Sequence, residues 1–153
     1  MRKQVILAAL CAALVGATAA AVDMADWRWQ VAITFDGYPA ERTELVNFPA
    51  LLVFEDGAGG IDFANFKEGG VDLRFTDEAE SVLLNHEIES WDAESGKAWV
   101  WVQVPQLNNG TVIKAHWGNG AAELPDYATN GATWSEGFAA VWHMEQVAAS
   151  DVS

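Results

Sequence analysis

The stretch HEIESWD, residues 86–92, holds the pair of side chains best placed for catalysis. Glu87 and Glu89 are two positions apart, so in an extended chain both carboxylates project from one face. Sandwich-fold glycosidases use such a pair as nucleophile and acid. The alternative is an acidic strand face in water, and no flanking pattern indicates a catalytic cleft. We therefore expect no catalytic residue, and a glycosidase using Glu87 and Glu89 stays an alternative.

Carboxylates also gather in GVDLRFTDEAE, residues 70–80. Asp72, Asp77 and Glu78 lie in or beside a predicted turn, and turns rich in oxygen ligands suit calcium. A structural calcium ion is therefore the candidate cofactor, although Arg74 offers Asp72 or Asp77 a simpler partner. No short metal-ligand spacing joins the histidines, which are His86, His116 and His143.

Tryptophan is the third candidate, because eight of the 153 residues are Trp. Indole rings stack on sugars and are enriched at protein interfaces. Trp91 and Trp117 stand at the ends of predicted strands, where we expect them to be exposed. In AWVWVQVP, residues 98–105, Trp99 and Trp101 share one face and valines share the other. We expect this pair to pack in a core, with an exposed platform as the alternative. The candidate ligand-binding residues are Trp91, Trp117, Trp99 and Trp101.

The elements that must position these side chains are strands. WRWQVAITF, residues 27–35, alternates apolar and polar residues, as a half-buried strand does. QLNNG predicts a tight turn, after which TVIKAHW is expected to return as the antiparallel partner of KAWVWVQVP. Short strands divided by turn signals predict an all-β fold, an antiparallel, jelly-roll-like β-sandwich. The inward face of the first strand is predicted to hold Trp27, Trp29, Val31, Ile33 and Phe35.

The N-terminal residues have the three parts of a bacterial signal peptide, predicted over residues 1–21. MRKQ is basic, VILAALCAALVG is apolar but short for a membrane span, and ATAAA offers small residues for cleavage. Cys11, the only cysteine, lies inside this segment, so the mature chain is expected to lack disulfides. We expect an exported protein, periplasmic, cell-surface or extracellular, without a transmembrane segment after cleavage. Its net charge of −14 opposes binding to nucleic acid.

Five pieces occur in a characteristic order: FPALLVF, GVDLRFTD, HEIESWD, AWVWVQVP and AHWGN. Over residues 26–120 they make the chain resemble a bacterial family, domain of unknown function 2341. The resemblance implies an exported or envelope-associated protein. It also implies a neighbouring module, either a concanavalin-like (laminin-G-type) lectin sandwich or a proton channel of the MotA/TolQ/ExbB type. The family has no established catalytic residues, so it assigns none here.

The domain organisation is predicted from these features together. A β-sandwich over residues 22–120 follows the signal peptide, and the Gly-, Asn- and Pro-containing stretch 121–133 is predicted to be a linker. Residues 134–153 look like the first strand of a truncated second, lectin-like domain. The alternative is that 134–144 forms the last strand of the first domain.

These observations predict a non-enzymatic accessory module of the cell envelope that binds a glycan or an envelope partner. The tryptophan content, the expected export and the resemblance all favour this function. One alternative is an extracytoplasmic module of a MotA/TolQ/ExbB-type transport system, and the other is the glycosidase considered above.

Overall fold

A computed structural model describes residues 21–134, 138 and 141. The predicted signal peptide lies outside these residues except for its last position, and so does most of the predicted strand 134–153. The described strands are β1 (Trp29–Phe35), β2 (Leu45–Glu55), β3 (Arg74–Asp77), β4 (Leu83–Leu84), β5 (His86–Asp92), β6 (Lys97–Leu107) and β7 (Thr111–Trp117). Short 3-10 turns occupy residues 58–60, 63–65, 68–70, 126–128 and 132–134.

The strands form two antiparallel sheets that enclose one core. The first sheet has the order β1-β7-β3-β4, and the second has the order β2-β6-β5. Phe54 of β2 meets Phe75 of β3 edge-to-face at 6.2 Å between ring centroids, which joins the two sheets. The predicted all-β antiparallel sandwich is therefore confirmed. No described helix has the length and apolar character that crossing a membrane requires.

The middle strand of the second sheet divides its side chains by size. Ala98, Val100, Val102 and Val104 are fully buried and face the first sheet. Their neighbours on the opposite face, including Trp99, are only partly buried. Small β-branched side chains fill the narrow space between two packed sheets, and the indoles point out. The prediction that Trp99 and Trp101 form the core is therefore wrong.

The first strand follows its predicted alternation except at one end. Val31, Ile33 and Phe35 pack against the core, as predicted. Trp29 is 42% exposed, so the prediction that it points inward is wrong. It lies at the open end of an edge strand, where β7 is the neighbour on one side only.

The turn after β6 moves the chain from one sheet to the other. β7 pairs with β1 through Trp29↔Trp117 and with β3 through Arg74↔His116. The predicted pairing of β7 with β6 is therefore wrong. The QLNNG turn connects strands of opposing sheets and does not form the predicted hairpin.

The segment 61–70 closes one end of the sandwich with aromatic side chains. The Phe66 ring stacks on Trp117 at 5.0 Å and lies 5.1 Å from Trp91. Gly70 borders this cluster with φ +70°, and a Cβ there would lie 2.6 Å from Cε3 of Trp91. Glycine is thus required at residue 70 by backbone conformation and by space together.

We expect Gly70→Ala to lower the free energy of unfolding by about 3 kcal/mol, combining left-handed backbone strain with a clash in the core. Gly69→Ala is the matched control, because Gly69 has φ +68° but nothing within 4 Å of its added Cβ. It should cost only the strain, about 1 kcal/mol. Urea unfolding of both variants measures the difference, and equal losses would show that Trp91 does not limit the space.

Candidate functional site

The outer surface of the second sheet carries a continuous apolar patch. On this side Leu51 of β2 pairs with Trp101 of β6, and Val53 pairs with Trp99. Leu51 is 44% exposed and Val53 is 51% exposed. The Trp134 ring lies 5.0 Å from Trp101 and extends the patch. This surface, here called the aromatic face, consists of Leu51, Val53, Trp99, Trp101, Trp134 and Phe138.

Two carboxylates fix the orientation of the indoles on the aromatic face. Nε1 of Trp101 donates to Oε2 of Glu89 at 3.1 Å, and Nε1 of Trp134 donates to Oε2 of Glu87 at 2.9 Å. A β-bulge between Ile88 and Ser90 shifts the register of β5 at Glu89. Bulges re-aim side chains in this way. The face therefore presents indole rings held in place by charge-assisted hydrogen bonds.

The structure gives Glu87 and Glu89 a positioning role in these contacts. Both carboxylates lie beside the aromatic face, where they contact Trp134 and Trp101. Each accepts a hydrogen bond from an indole N–H, and this contact orients the ring. The alternative glycosidase gains no support from this geometry.

Trp91 and Trp117 lie away from the aromatic face. They belong to the aromatic end cluster, which consists of Phe63, Phe66, Trp91 and Trp117. Trp117 is 2% exposed, so the prediction that it is exposed is wrong. Trp91 is partly buried and lies 4.9 Å from the Phe63 ring. Phe66 covers both tryptophans. Nothing in the local sequence of either strand end signals a covering segment about 25 to 50 residues earlier in the chain. Of the four ligand-binding candidates, only Trp99 and Trp101 share a surface.

The three calcium candidates do not come together. The Asp72 carboxylate is fully buried and accepts backbone N–H groups from Lys67 at 2.9 Å and from Gly118 at 2.7 Å. Asp77 instead accepts from Ser81 and Val82 in its own turn. Burial alone would raise the pKa of Asp77, but these hydrogen bonds outweigh it and lower the pKa. Among the described residues, no three His, Cys, Asp or Glu side chains form a group able to hold a metal.

The segment 121–134, mostly predicted as a linker, packs against the domain. Ala122, Ala128 and Thr133 are buried, and Tyr127 meets the His86 ring edge-to-face at 5.3 Å. Trp134 then reaches the aromatic face. The sequence does not predict its contribution, because the Gly, Asn and Pro residues around it signal turns, which occur both in linkers and in packed loops.

His86 is the most strongly perturbed titratable group in the described chain. It is fully buried between Phe75 and Tyr127, and neither ring nitrogen makes a hydrogen bond of normal geometry. Burial lowers the pKa of His86 to about 3, and the nearby charge of Arg74 adds to the effect. His86 is therefore a neutral core residue.

The fold and the aromatic face together define the class of protein. It is an all-β sandwich domain with an aromatic surface on the outer side of its second sheet. A family model described as "Domain of unknown function (DUF2341)" matches residues 69–145, half of the chain. The chain belongs to this family, as its sequence motifs predicted. No curated protein and no solved structure matches the chain significantly.

The buried His86 makes stability depend on pH in a defined window. The unfolded chain protonates this histidine near its ordinary pKa of 6.5, whereas the folded pKa is about 3. Between pH 6.5 and pH 3 the unfolded state therefore binds more protons than the folded state. The contribution of His86 to the free energy of unfolding is fully present above pH 6.5 and is lost as the pH is lowered through this range. The contribution of His86 should approach about 1.4 kcal/mol per pH unit.

Urea unfolding between pH 7 and 4.5 measures this slope before most carboxylates titrate. His86→Leu should flatten it, since leucine is of comparable size and does not titrate. His116 is present in both proteins, so its own contribution cancels in the difference. Equal slopes in both proteins would contradict the assignment.

Proposed function

We propose that this protein is a non-enzymatic accessory module of the bacterial cell envelope that binds a glycan through its aromatic face. The observation that carries the proposal is the outward orientation of Trp99 and Trp101 on the middle strand of the second sheet. Tryptophans that are not needed for the core are available for stacking on the apolar faces of sugar rings. The N-terminal signal-peptide pattern supports its placement outside the cytoplasm.

The geometry of the aromatic face favours an extended ligand over a small enclosed one. The patch spans two neighbouring strands, from Leu51 and Val53 on β2 to Trp99 and Trp101 on β6. Strands in a sheet lie about 4.8 Å apart, and alternate residues along a strand lie about 6.8 Å apart. Trp99 and Trp101 are therefore spaced to contact successive regions of a chain-like polysaccharide. Glu89 limits rotation of the Trp101 ring, which reduces the entropy lost on binding.

The proposal is tested by affinity electrophoresis of the protein through gels that contain different polysaccharides. We expect one polysaccharide to retard the protein and Trp99→Ala to weaken binding about tenfold, equivalent to about 1.4 kcal/mol of lost stacking. Trp29→Ala is the matched control, because Trp29 is 42% exposed but belongs to the other sheet.

Two results would contradict the proposal. Retardation that survives in Trp99→Ala would remove the aromatic face as the binding surface. Failure of every polysaccharide to retard the wild-type protein would exclude glycan binding and leave the face to a protein partner.

A further inference from the structure

A pocket, here called the His116 pocket, lies on the outer side of the first sheet, away from the aromatic face. His116 of β7 lines it together with residues of the N-terminal segment and Glu80 of the turn between β3 and β4. Its volume is about 250 Å³. Pockets for drug-sized ligands measure about 300 to 1,000 Å³, so this one suits a single small molecule. Trp27 and Met24 supply an apolar wall.

Three polar side chains lining this pocket have nitrogen or oxygen atoms that make no hydrogen bond within the described part of the chain. The Nε2 atom of His116 lies 2.9 Å from Oγ1 of Thr76, which leaves Nδ1 available to the pocket. This imidazole is only 2% exposed. Arg28 and Gln30 line the same pocket, and neither side chain makes a hydrogen bond or an ion pair there. Arg28 and Gln30 are exposed and His116 is buried, and all three line one pocket with an apolar wall. An apolar pocket with a few convergent polar groups is the usual form of a small-molecule site.

The charges around the pocket favour an anionic group on that ligand. In the described chain, Lys67, Lys97 and Lys114 each pair with a carboxylate. The Arg74 guanidinium is buried and donates to backbone carbonyls. Arg28 and Arg42 are therefore the cations left unpaired among the described residues. A guanidinium binds a carboxylate through two parallel hydrogen bonds.

The backbone at Glu80 is held in a conformation that non-glycine residues rarely adopt. Its φ is +55°, and such strain persists where surrounding contacts impose it, often at functional sites. Here Val22 N–H donates to the Glu80 carbonyl at 2.6 Å, and Lys114 Nζ donates to Oε1 at 2.7 Å. The lysine neutralises the carboxylate, and Oε2 stays available as an acceptor for a hydroxyl.

We propose that this pocket binds a single sugar residue bearing a carboxylate, with the carboxylate on Arg28. Hydroxyl groups of the sugar both donate and accept, which matches Gln30, the free nitrogen of His116 and the second oxygen of Glu80. The sugar ring packs against Trp27. The site lies on a different sheet from the aromatic face, so it does not depend on the function proposed for that face.

The test is an NMR titration of the protein with three probes: D-glucuronate, D-glucose and acetate. Glucuronate should bind at least tenfold more tightly than either of the others, because only glucuronate offers both the carboxylate and the hydroxyls. Arg28→Gln should weaken glucuronate binding at least tenfold. Arg42→Gln is the matched control, an unpaired arginine outside the pocket, and should leave binding unchanged.

Several outcomes would overturn the assignment. Glucose binding as tightly as glucuronate would remove the need for a carboxylate, and acetate binding as tightly would remove the sugar. Unchanged binding in Arg28→Gln would place the ligand elsewhere. Trp99→Ala separates the two proposals, since it should leave glucuronate binding intact even where it abolishes retention by a polysaccharide.

Discussion

The buried carboxylate of Asp72 holds together three parts of the chain that are distant in sequence. Its two oxygens accept backbone N–H groups from Lys67 and Gly118, and its carbonyl accepts Nε1–H of Trp27 at 2.7 Å. Burying a charge is costly unless hydrogen bonds replace the lost water. These donors do so, and in return the N-terminal segment, the 61–70 segment and the end of β7 are fixed against one another. The aromatic end cluster and the His116 pocket both depend on that arrangement.

Much of the fold could be predicted from the sequence because alternation is a local signal. Val31, Ile33 and Phe35 face the core as their spacing indicates, and the two-sheet sandwich follows from many short strands. Pairing between strands is not local, so the sequence alone predicts the wrong partner for β7. A turn such as Asn108–Gly110 shows that the chain reverses, but it does not show which sheet the next strand joins.

The candidate site was predicted only in part, for a related reason. β6 is apolar on both faces, so periodicity cannot decide which face is inward. Packing decides it, because the space between sheets accepts Val100 and Val102 more readily than two indoles. Trp117 shows the converse. It stands at a strand end, where exposure is the usual expectation, but Phe66 covers it. No sequence motif indicates the His116 pocket, because its residues come from three separate segments of the chain.

The pairing of β1 with β7 joins two strands that are far apart in the sequence. In the described chain β7 is the only neighbour of β1. Trp29 pairs with Trp117, so residues near the two ends of the domain's sequence lie side by side in the sheet. By contrast, β5 and β6 are joined by a short turn and can pair early. Contacts between distant residues slow folding, because the intervening chain must lose its freedom first. Until β7 is in place, β1 has no paired neighbour among the described strands, and unpaired strand edges favour aggregation.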